Sequence, residues 1–350
     1  MGASAALELA RRGRSVRLLE RFAPGLSRGS SHGPTRIFRL SYPDPGYVEM
    51  AVQALIDWRR LERDTQESLL SVTGGLDTGP GASACAAAMA EVGVPFEEID
   101  AGQAAESFSL DLAEVSAIFQ PDAAVIDCRK AIDLQIDLAR QAGVSVEYGV
   151  RVASLLPRSD GSVELITSGG RIVASTVVLA AGPWARPLAM TFGLDLPLFV
   201  TLEQVAYLAP VRSGGPIVID WTSPPRYLIP AFHGAHGMKV GLHHHGFLVD
   251  PEDGPFPPSK TGLASPVEWA SRLLGQPLHV AAAETCLYTN TASEDFLIFG
   301  QDGIVVMSAC SGHGFKFAPR LGRAVADLID GLDPKLPEPR AVKQVAVQPE

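Results

Sequence analysis

The first twenty residues constrain the fold more than any other stretch. Gly2-Ala-Ser-Ala-Ala-Leu-Glu-Leu-Ala-Arg-Arg12 reads as a helix, Gly13 as its stop, and Ser15-Val-Arg-Leu-Leu-Glu20 as a short buried strand ending in an acid. Helix, tight turn and acid-ended strand make up the second half of a βαβ dinucleotide-binding unit. In such a unit a Gly-rich turn precedes the helix, and an acid about 20 residues on binds a ribose hydroxyl. Gly2 lies eighteen residues before Glu20, which fits the last glycine of a G-x-G-x-x-G turn. The first strand and the earlier glycines, whose amides would hold a pyrophosphate, do not precede it. The expectation is an N-terminally truncated unit, from a start assigned too late or from a fragment. The plainer alternative is a surface helix that happens to open the chain.

Composition supports an α/β protein of enzyme size. At 350 residues the chain is long enough for about two domains of roughly 150 residues. A 46% hydrophobic and 19% charged content excludes intrinsic disorder, and no run reaches the roughly 18 apolar residues of a membrane span. With 39 acidic against 29 basic residues, the net charge of −10 argues against a general nucleic-acid binder. Four cysteines do not make a disulfide framework. No secretory signal opens the chain and Val-Gln-Pro-Glu closes it without a peroxisomal tripeptide, so the cytoplasm is the default expectation.

Residues 28–46, rich in Gly, Ser and Pro, read as a loop ordering polar groups near a ligand. Tyr47–Gln66 and Arg129–Ala142 read as helices; Val144–Val150, Val163–Thr167 and Arg171–Ala180 read as strands. Prolines and alternating apolar residues over 191–285 suggest an antiparallel sheet, and Ile304–Ser308 a buried strand leading to a closing helix. Because βα signals sit at both ends, the nucleotide domain is expected to be discontinuous. It would comprise 1–75, 124–190 and 286–338, with a substrate domain of 76–123 and 191–285 and a tail of 339–350.

Three constellations draw chemical attention. In His243-His244-His245, strand alternation would put His243 and His245 on one face, near His233 or His236 in sequence. No carboxylate or cysteine sits at a recognised ligand spacing, so the reading is one catalytic or substrate-facing histidine and no metal. Cys286 has no local base and reads by itself as a buried small hydrophobe. Gly312-His-Gly-Phe-Lys316 precedes a helix, where flanking glycines let a backbone approach a planar ligand. Lys316 is one of six lysines in the chain, which makes its place in an apolar motif notable, although a snorkelling lysine is the alternative.

Three blocks, in this order, resemble the monomeric sarcosine oxidase family of flavoenzymes, which includes the N-methyltryptophan and pipecolate oxidases. They are Arg28-Gly-Ser-Ser-His-Gly33 with Thr35-Arg-Ile-Phe-Arg39, Glu284-Thr-Cys-Leu-Tyr-Thr-Asn-Thr291, and Ser311-Gly-His-Gly-Phe-Lys-Phe317. The resemblance implies a discontinuous FAD-binding Rossmann-like domain of the glutathione-reductase type, with an α+β substrate domain built on an antiparallel sheet. It implies FAD as cofactor, tethered by a thioether through Cys286. Arg39 and Lys316 match the pair that grips the substrate carboxylate, and Tyr42, Tyr227 and His243 the positions lining the substrate cavity. Lys239 matches the lysine that promotes oxygen reduction, and Arg36 an arginine close to the flavin ring. Gly2 and Glu20 fall in the nucleotide unit. Ser31, His32 and Gly33 would hold the FAD phosphates, Tyr288, Thr289, Gly312 and His313 would lie around the isoalloxazine, and Gly314 and Lys316 would also bind the cofactor. This chain departs from the pattern at Cys310, Pro34 and Leu40, where the family usually has an aromatic, a polar and a basic residue.

The function implied is an FAD-dependent oxidase of small secondary amino acids, sarcosine or other N-methyl amino acids, yielding an imine and hydrogen peroxide. The enzyme would be a monomer meeting its substrate and dioxygen, and neither nucleic acid nor a membrane. Alternatives are a pipecolate- or proline-type oxidase, a dehydrogenase of the same fold, an inactive truncated homologue, and a non-enzymatic or metal-dependent protein using the histidine cluster.

Overall fold

The computed structural model describes residues 1–25, 28–113, 115–210, 214–233 and 235–337 of the chain. The expected tail, 339–350, lies outside the described residues. The opening helix, Gly2–Arg11, buries Ala5, Ala6, Leu7 and Leu9 and leads into the strand Arg17–Glu20. That strand runs parallel to Ser145–Tyr148, pairing Arg17 with Ser145 and Glu20 with Tyr148. A second parallel pair joins Val177–Leu179 to Ile304–Ser308, which also pairs antiparallel with Leu297–Gln301. Among the described residues, Arg17–Glu20 and Val177–Leu179 each have this one partner strand, and both line the cavity described below.

The opening helix packs against Cys128–Gln141 and the closing helix, Ala318–Ile329. Its crossing with the closing helix is close: a Cβ on Gly322 would lie 2.7 Å from the carbonyl carbon and oxygen of Ser4. At its first residue the fit is looser, since a Cβ on Gly2 would make ordinary contacts at 3.6 Å with Ala180 and Leu18. The long helix Pro45–Thr65 starts where Asp44 accepts from the Gly46 amide and Pro45 presets the first turn. It buries Val48, Met50, Ala54, Trp58 and Leu61 in a core shared with Phe38, Phe317 and Leu321.

The other half of the molecule is a nine-stranded sheet. In spatial order it runs 247–248, 199–209, 238–242, 226–229, 217–220, 75–78, 117–120 and 97–99, with His279–Asn290 pairing along Phe199–Ala209. The 217–220 and 75–78 strands are parallel and the other pairings antiparallel. The chain is thus an α/β protein with a largely antiparallel second sheet.

Three expectations need correction. Arg171–Ala180 is two strands, Gly170–Ala174 and Val177–Leu179, in different sheets. The loop at 28–46 contains the strand Thr35–Phe38, which pairs with Ala124–Asp127 and sets the direction of Arg36 and Arg39. Within 191–285, Lys260–Leu273 is a helix, whose internal Pro266 disguised it in the sequence.

Candidate active site

A cavity of about 1180 Å3 runs from the start of the opening helix past the Gly29–Gly33 loop to Gly312–Lys316. Ordinary small-ligand pockets span roughly 300–1,000 Å3, so this one suits an extended ligand. Met1, Gly2 and Ala3 line it where the opening helix begins. No side chain caps that helix, and its first backbone bond runs from Ala5 to Met1, so the amides before Ala5 lack helical partners. Their partial positive charge suits a phosphate. Glu20, at the end of its strand, lines the same cavity.

The Gly29–Gly33 loop forms another part of the wall and is organised from within by Arg36. The guanidinium donates to the carbonyls of Thr35 at 2.7 Å, Ser30 at 2.6 Å and His32 at 2.6 Å. Ser31 lines the cavity and accepts from the Cys128 thiol through its carbonyl. His32 donates from Nε2 to the Thr285 carbonyl at 2.7 Å, which leaves Nδ1 an acceptor. Nδ1 is buried and has no partner among the described residues, and burial together with Arg36 pushes the ring below its usual pKa, favouring the neutral form. A ligand hydroxyl would satisfy it. Ser308 Oγ, on the wall too, is likewise buried and unpartnered among the described residues.

On the His279–Asn290 strand, Cys286 and Tyr288 are two residues apart and share a face toward the cavity. Burial pushes the Cys286 thiol up to about 11, with Lys239 and Arg36 opposing the shift. Lys239 lies on Met238–Leu242 and is 7% exposed; burial, then Arg36, pushes its ammonium down to about 8. Tyr227 approaches so closely that a Cβ on Gly241 would sit 2.8 Å from its hydroxyl. Gly312 is required twice over. Its φ is +72°, and a Cβ there would lie 2.1 Å from the Tyr288 ring and 2.6 Å from the His243 ring. A Cβ on Gly314 would collide with the Ala309 carbonyl.

Arg39 and Lys316 are buried at the cavity wall, 9% and 5% exposed. Lys316 Nζ donates to the Tyr42 hydroxyl and the His313 carbonyl, both at 2.8 Å. Arg39 donates to the carbonyl and hydroxyl of Ser41, and its guanidinium stacks 4.1 Å over Tyr42 and 5.1 Å from the Trp221 ring. Burial, then Arg39, pushes the Lys316 ammonium well below its usual value. Tyr42 itself stands behind Lys316 rather than on the wall. Thr289 also stands back, its amide donating to Cys310 Sγ at 3.4 Å, while Cys310 lines the cavity.

The histidine run departs from strand alternation. The Met238–Leu242 strand ends before it, and His244 takes φ +52°, bringing the His243 and His244 rings to 4.2 Å. His243, which lines the cavity, is pushed well below its usual pKa by burial and then by His244 and His313. Glu294, distant in sequence, brings its carboxylate 3.4 Å from His244 Nε2, so the three residues place ligand-type atoms within 4.8 Å. His244 Nε2 is already bonded to the Ser311 carbonyl at 3.0 Å. His245 faces Glu203 through its amide and does not join this group. His313, buried against Phe296, bonds Nε2 to the Glu294 carbonyl.

The sequence reading missed Asp77, Gln120 and Trp221, which surround Arg39 from the nine-stranded sheet. The available signal was weak: a charged residue in the apolar run Gly74-Gly-Leu-Asp77. Glu284, whose carboxylate accepts from the Tyr207 hydroxyl at 3.0 Å beside Gly33, was read as part of a motif without a role.

Comparison with known proteins agrees with this architecture. Residues 1–328 match the FAD dependent oxidoreductase (DAO) family. The chain is 30% identical to the monomeric sarcosine oxidase of Streptomyces avermitilis, over 94% of this chain and 90% of that protein. It is 29% identical to the peroxisomal sarcosine oxidase of Mus musculus, over 95% and 90%. The N-methyl-L-tryptophan oxidase of Salmonella arizonae is 28% identical over 93% and 91%. Among solved structures, NikD, an unusual amino acid oxidase essential for nikkomycin biosynthesis, superposes with a TM-score of 0.83 at 25% identity, covering 93% of this chain and 90% of that one. L-proline dehydrogenase from P. horikoshii shares the fold, with a TM-score of 0.83 at 23% identity over 95% and 94%. The uncapped helix start, the acid-ended strand and the unpartnered wall acceptors fit the flavin dinucleotide this family uses, and the chain belongs to the FAD dependent oxidoreductases, in their sarcosine oxidase group.

Proposed function

We propose that this protein oxidises the C–N bond of small secondary amino acids, sarcosine or another N-methyl amino acid first among them, with dioxygen as acceptor. One observation carries the reading. Arg39 and Lys316 are buried at the cavity wall, and among the described residues no carboxylate comes within ion-pair distance of either. Asp77 acts on Arg39 only from beyond ion-pair distance, and burying cations without a direct ion-pair partner is costly, so a site of this kind suits an anionic ligand group. A substrate carboxylate would take two donors of different geometry, a planar guanidinium and an ammonium point charge.

Bound FAD would supply the redox chemistry: loss of two electrons and two protons from the CH–NH unit gives the imine, and dioxygen takes up two electrons and two protons to give hydrogen peroxide. The chain's own residues orient and shield. Arg39 and Lys316 hold the carboxylate and thereby fix the amine. Tyr227, Tyr288 and His243 close the space around it, and His243, kept neutral by burial, leaves the carboxylate to the two cations. Lys239 places a positive charge at Nζ on the same wall, where reduced oxygen would be stabilised. Gly2, the amides after it and Glu20 would hold the nucleotide end, and Ser31, His32 and Gly33 the connecting phosphates and hydroxyls. Cys286 is the residue for a covalent thioether tether. The names of the monomeric sarcosine oxidases favour a monomer here as well.

The test is to purify the protein, record its visible spectrum and precipitate it in acid. Yellow retained in the pellet, and lost with Cys286→Ala, supports the tether; yellow in the supernatant removes Cys286 from that role and leaves the oxidase. Anaerobic bleaching by sarcosine, other N-methyl amino acids, pipecolate and proline ranks the substrates. If none of them bleaches a flavin-loaded protein, the proposed substrate class is wrong.

A further inference from the structure

The Arg39 guanidinium does not reach its position unaided. Asp77, on the strand Gly75–Thr78, is 1% exposed and serves as the hub of a buried network around it. Its Oδ1 accepts from Trp221 Nε1 at 2.9 Å, and its Oδ2 from Gln120 Nε2 at 2.9 Å. Gln120 Nε2 also donates to Ser41 Oγ at 2.7 Å, and Gln120 Oε1 accepts from the Leu40 amide at 2.7 Å. Arg39 then donates to the carbonyl and hydroxyl of this same Ser41, with Trp221 and Tyr42 stacked near its plane. The Trp221 ring and the Ser41 hydroxyl, both beside the guanidinium, are therefore held by Asp77 directly or through Gln120. Asp77, Gln120 and Trp221 belong to the nine-stranded sheet or its margin, whereas Arg39 follows the small sheet that contains Thr35–Phe38. The network fixes one half of the molecule against the other at the anion site.

We propose that Asp77 is a positioning residue for Arg39, setting the guanidinium at the angle that accepts a single carboxylate in the cavity. The inference rests on the reading of Arg39 as the carboxylate-binding residue. It makes a prediction opposite in sign to simple charge repulsion. Asp77 is an acid near the anion site, so if it acted by charge alone, neutralising it would strengthen carboxylate binding. If it acts by position, neutralising it weakens binding. An Asn amide has one acceptor oxygen for two donors, so its NH2 would face either Gln120 Nε2 or Trp221 Nε1, each of which is itself a donor there. Gln120 cannot flip to relieve this without losing the Leu40 bond.

Acetate, with acetamide as its uncharged counterpart, is titrated into the flavin-loaded protein, and binding is followed both by the flavin spectrum and by tryptophan fluorescence. In Asp77→Asn the acetate Kd is expected to rise about ten-fold, the scale of one misplaced charged hydrogen bond, with acetamide unaffected. Combined with Arg39→Ala, the two losses should not add, because both act through the same guanidinium. If Asp77→Asn does not fold, Trp221→Phe, which removes one donor and keeps the aromatic face, is expected to weaken acetate in the same direction. Tighter or unchanged acetate binding in Asp77→Asn, or in Trp221→Phe where that is the variant measured, overturns the proposal while Arg39 keeps its role. Acetate binding indifferent to Arg39→Ala sinks the carboxylate reading, and this inference with it.

Discussion

Lys239 and Lys316 show how burial changes what a side chain can do. A lysine with an ordinary pKa near 10.4 stays charged across the physiological range. Lys239, held down to about 8 by burial and Arg36, carries its charge below that pH and loses it above. Any step that depends on the Nζ charge should therefore slow as pH rises through about 8. The expected outcome is a fall in the rate of flavin reoxidation by dioxygen across that pH, measured by stopped flow. Lys239→Met should be slow at every pH and flat. A reoxidation rate independent of pH in the unmodified protein would remove Lys239 from the oxygen reaction. Gly312 makes a second prediction at this scale. Gly312→Ala must bear a left-handed backbone and displace Tyr288 and His243, and it should weaken flavin retention by about ten-fold or more. Dialysis in a Cys286→Ala background, where no tether retains the flavin, followed by flavin absorbance measures it. The glycines and Lys316 stood out in the sequence because their residue types were unusual in context, whereas Cys286 gained a role only through the family resemblance. Asp77 did not, because a buried acid is recognised by its partners, and those come from residues 120 and 221.

Among elements, the opening and closing helices are joined in two ways that can be tested separately. One is steric: Gly322 lets the closing helix approach the Ser4 backbone. Gly322→Val should lower stability by about 1–3 kcal/mol, the usual cost of overpacking, and shift the helix whose start lines the cavity. Flavin affinity should fall with the melting temperature. The other is electrostatic: Arg12 bonds Glu8 within its helix and Asp327 and Asp330 on the closing one. Arg12→Ala should cost about 1 kcal/mol and leave flavin affinity unchanged, with a smaller effect in high salt. Thermal melts with and without 0.5 M salt, roughly the range in which screening is strong, separate the two. Most elements were legible because their patterning is local, as with Pro45–Thr65 and Cys128–Gln141. The break between Gly170–Ala174 and Val177–Leu179 was not, because Ser175-Thr176 carries no strong turn residue and the strands part to join different sheets.

At the scale of the whole molecule, a ligand that lines up along the cavity wall binds the native state alone and must stabilise it. Adding FAD should raise the melting temperature by several degrees, with about 4 kcal/mol gained at a thousand-fold excess over Kd. Differential scanning fluorimetry of flavin-free protein reads this directly, and an unmoved melt there at saturating FAD would contradict the cavity's assignment. The sequence by itself determined the α/β class, the helix-turn-strand opening that ends in Glu20, and the three blocks that carry the family likeness, since each depends on residue types within a short window. Only the tertiary structure decided which of those residues meet. It set His243 beside His244 rather than His245, because a left-handed turn at His244 overrides strand alternation. It placed Tyr42 behind Lys316, and it drew Asp77, Gln120 and Trp221 beneath Arg39. The meeting of Arg39 with residues 77, 120 and 221 exists only once two sheets have packed against each other, and no local pattern encodes it.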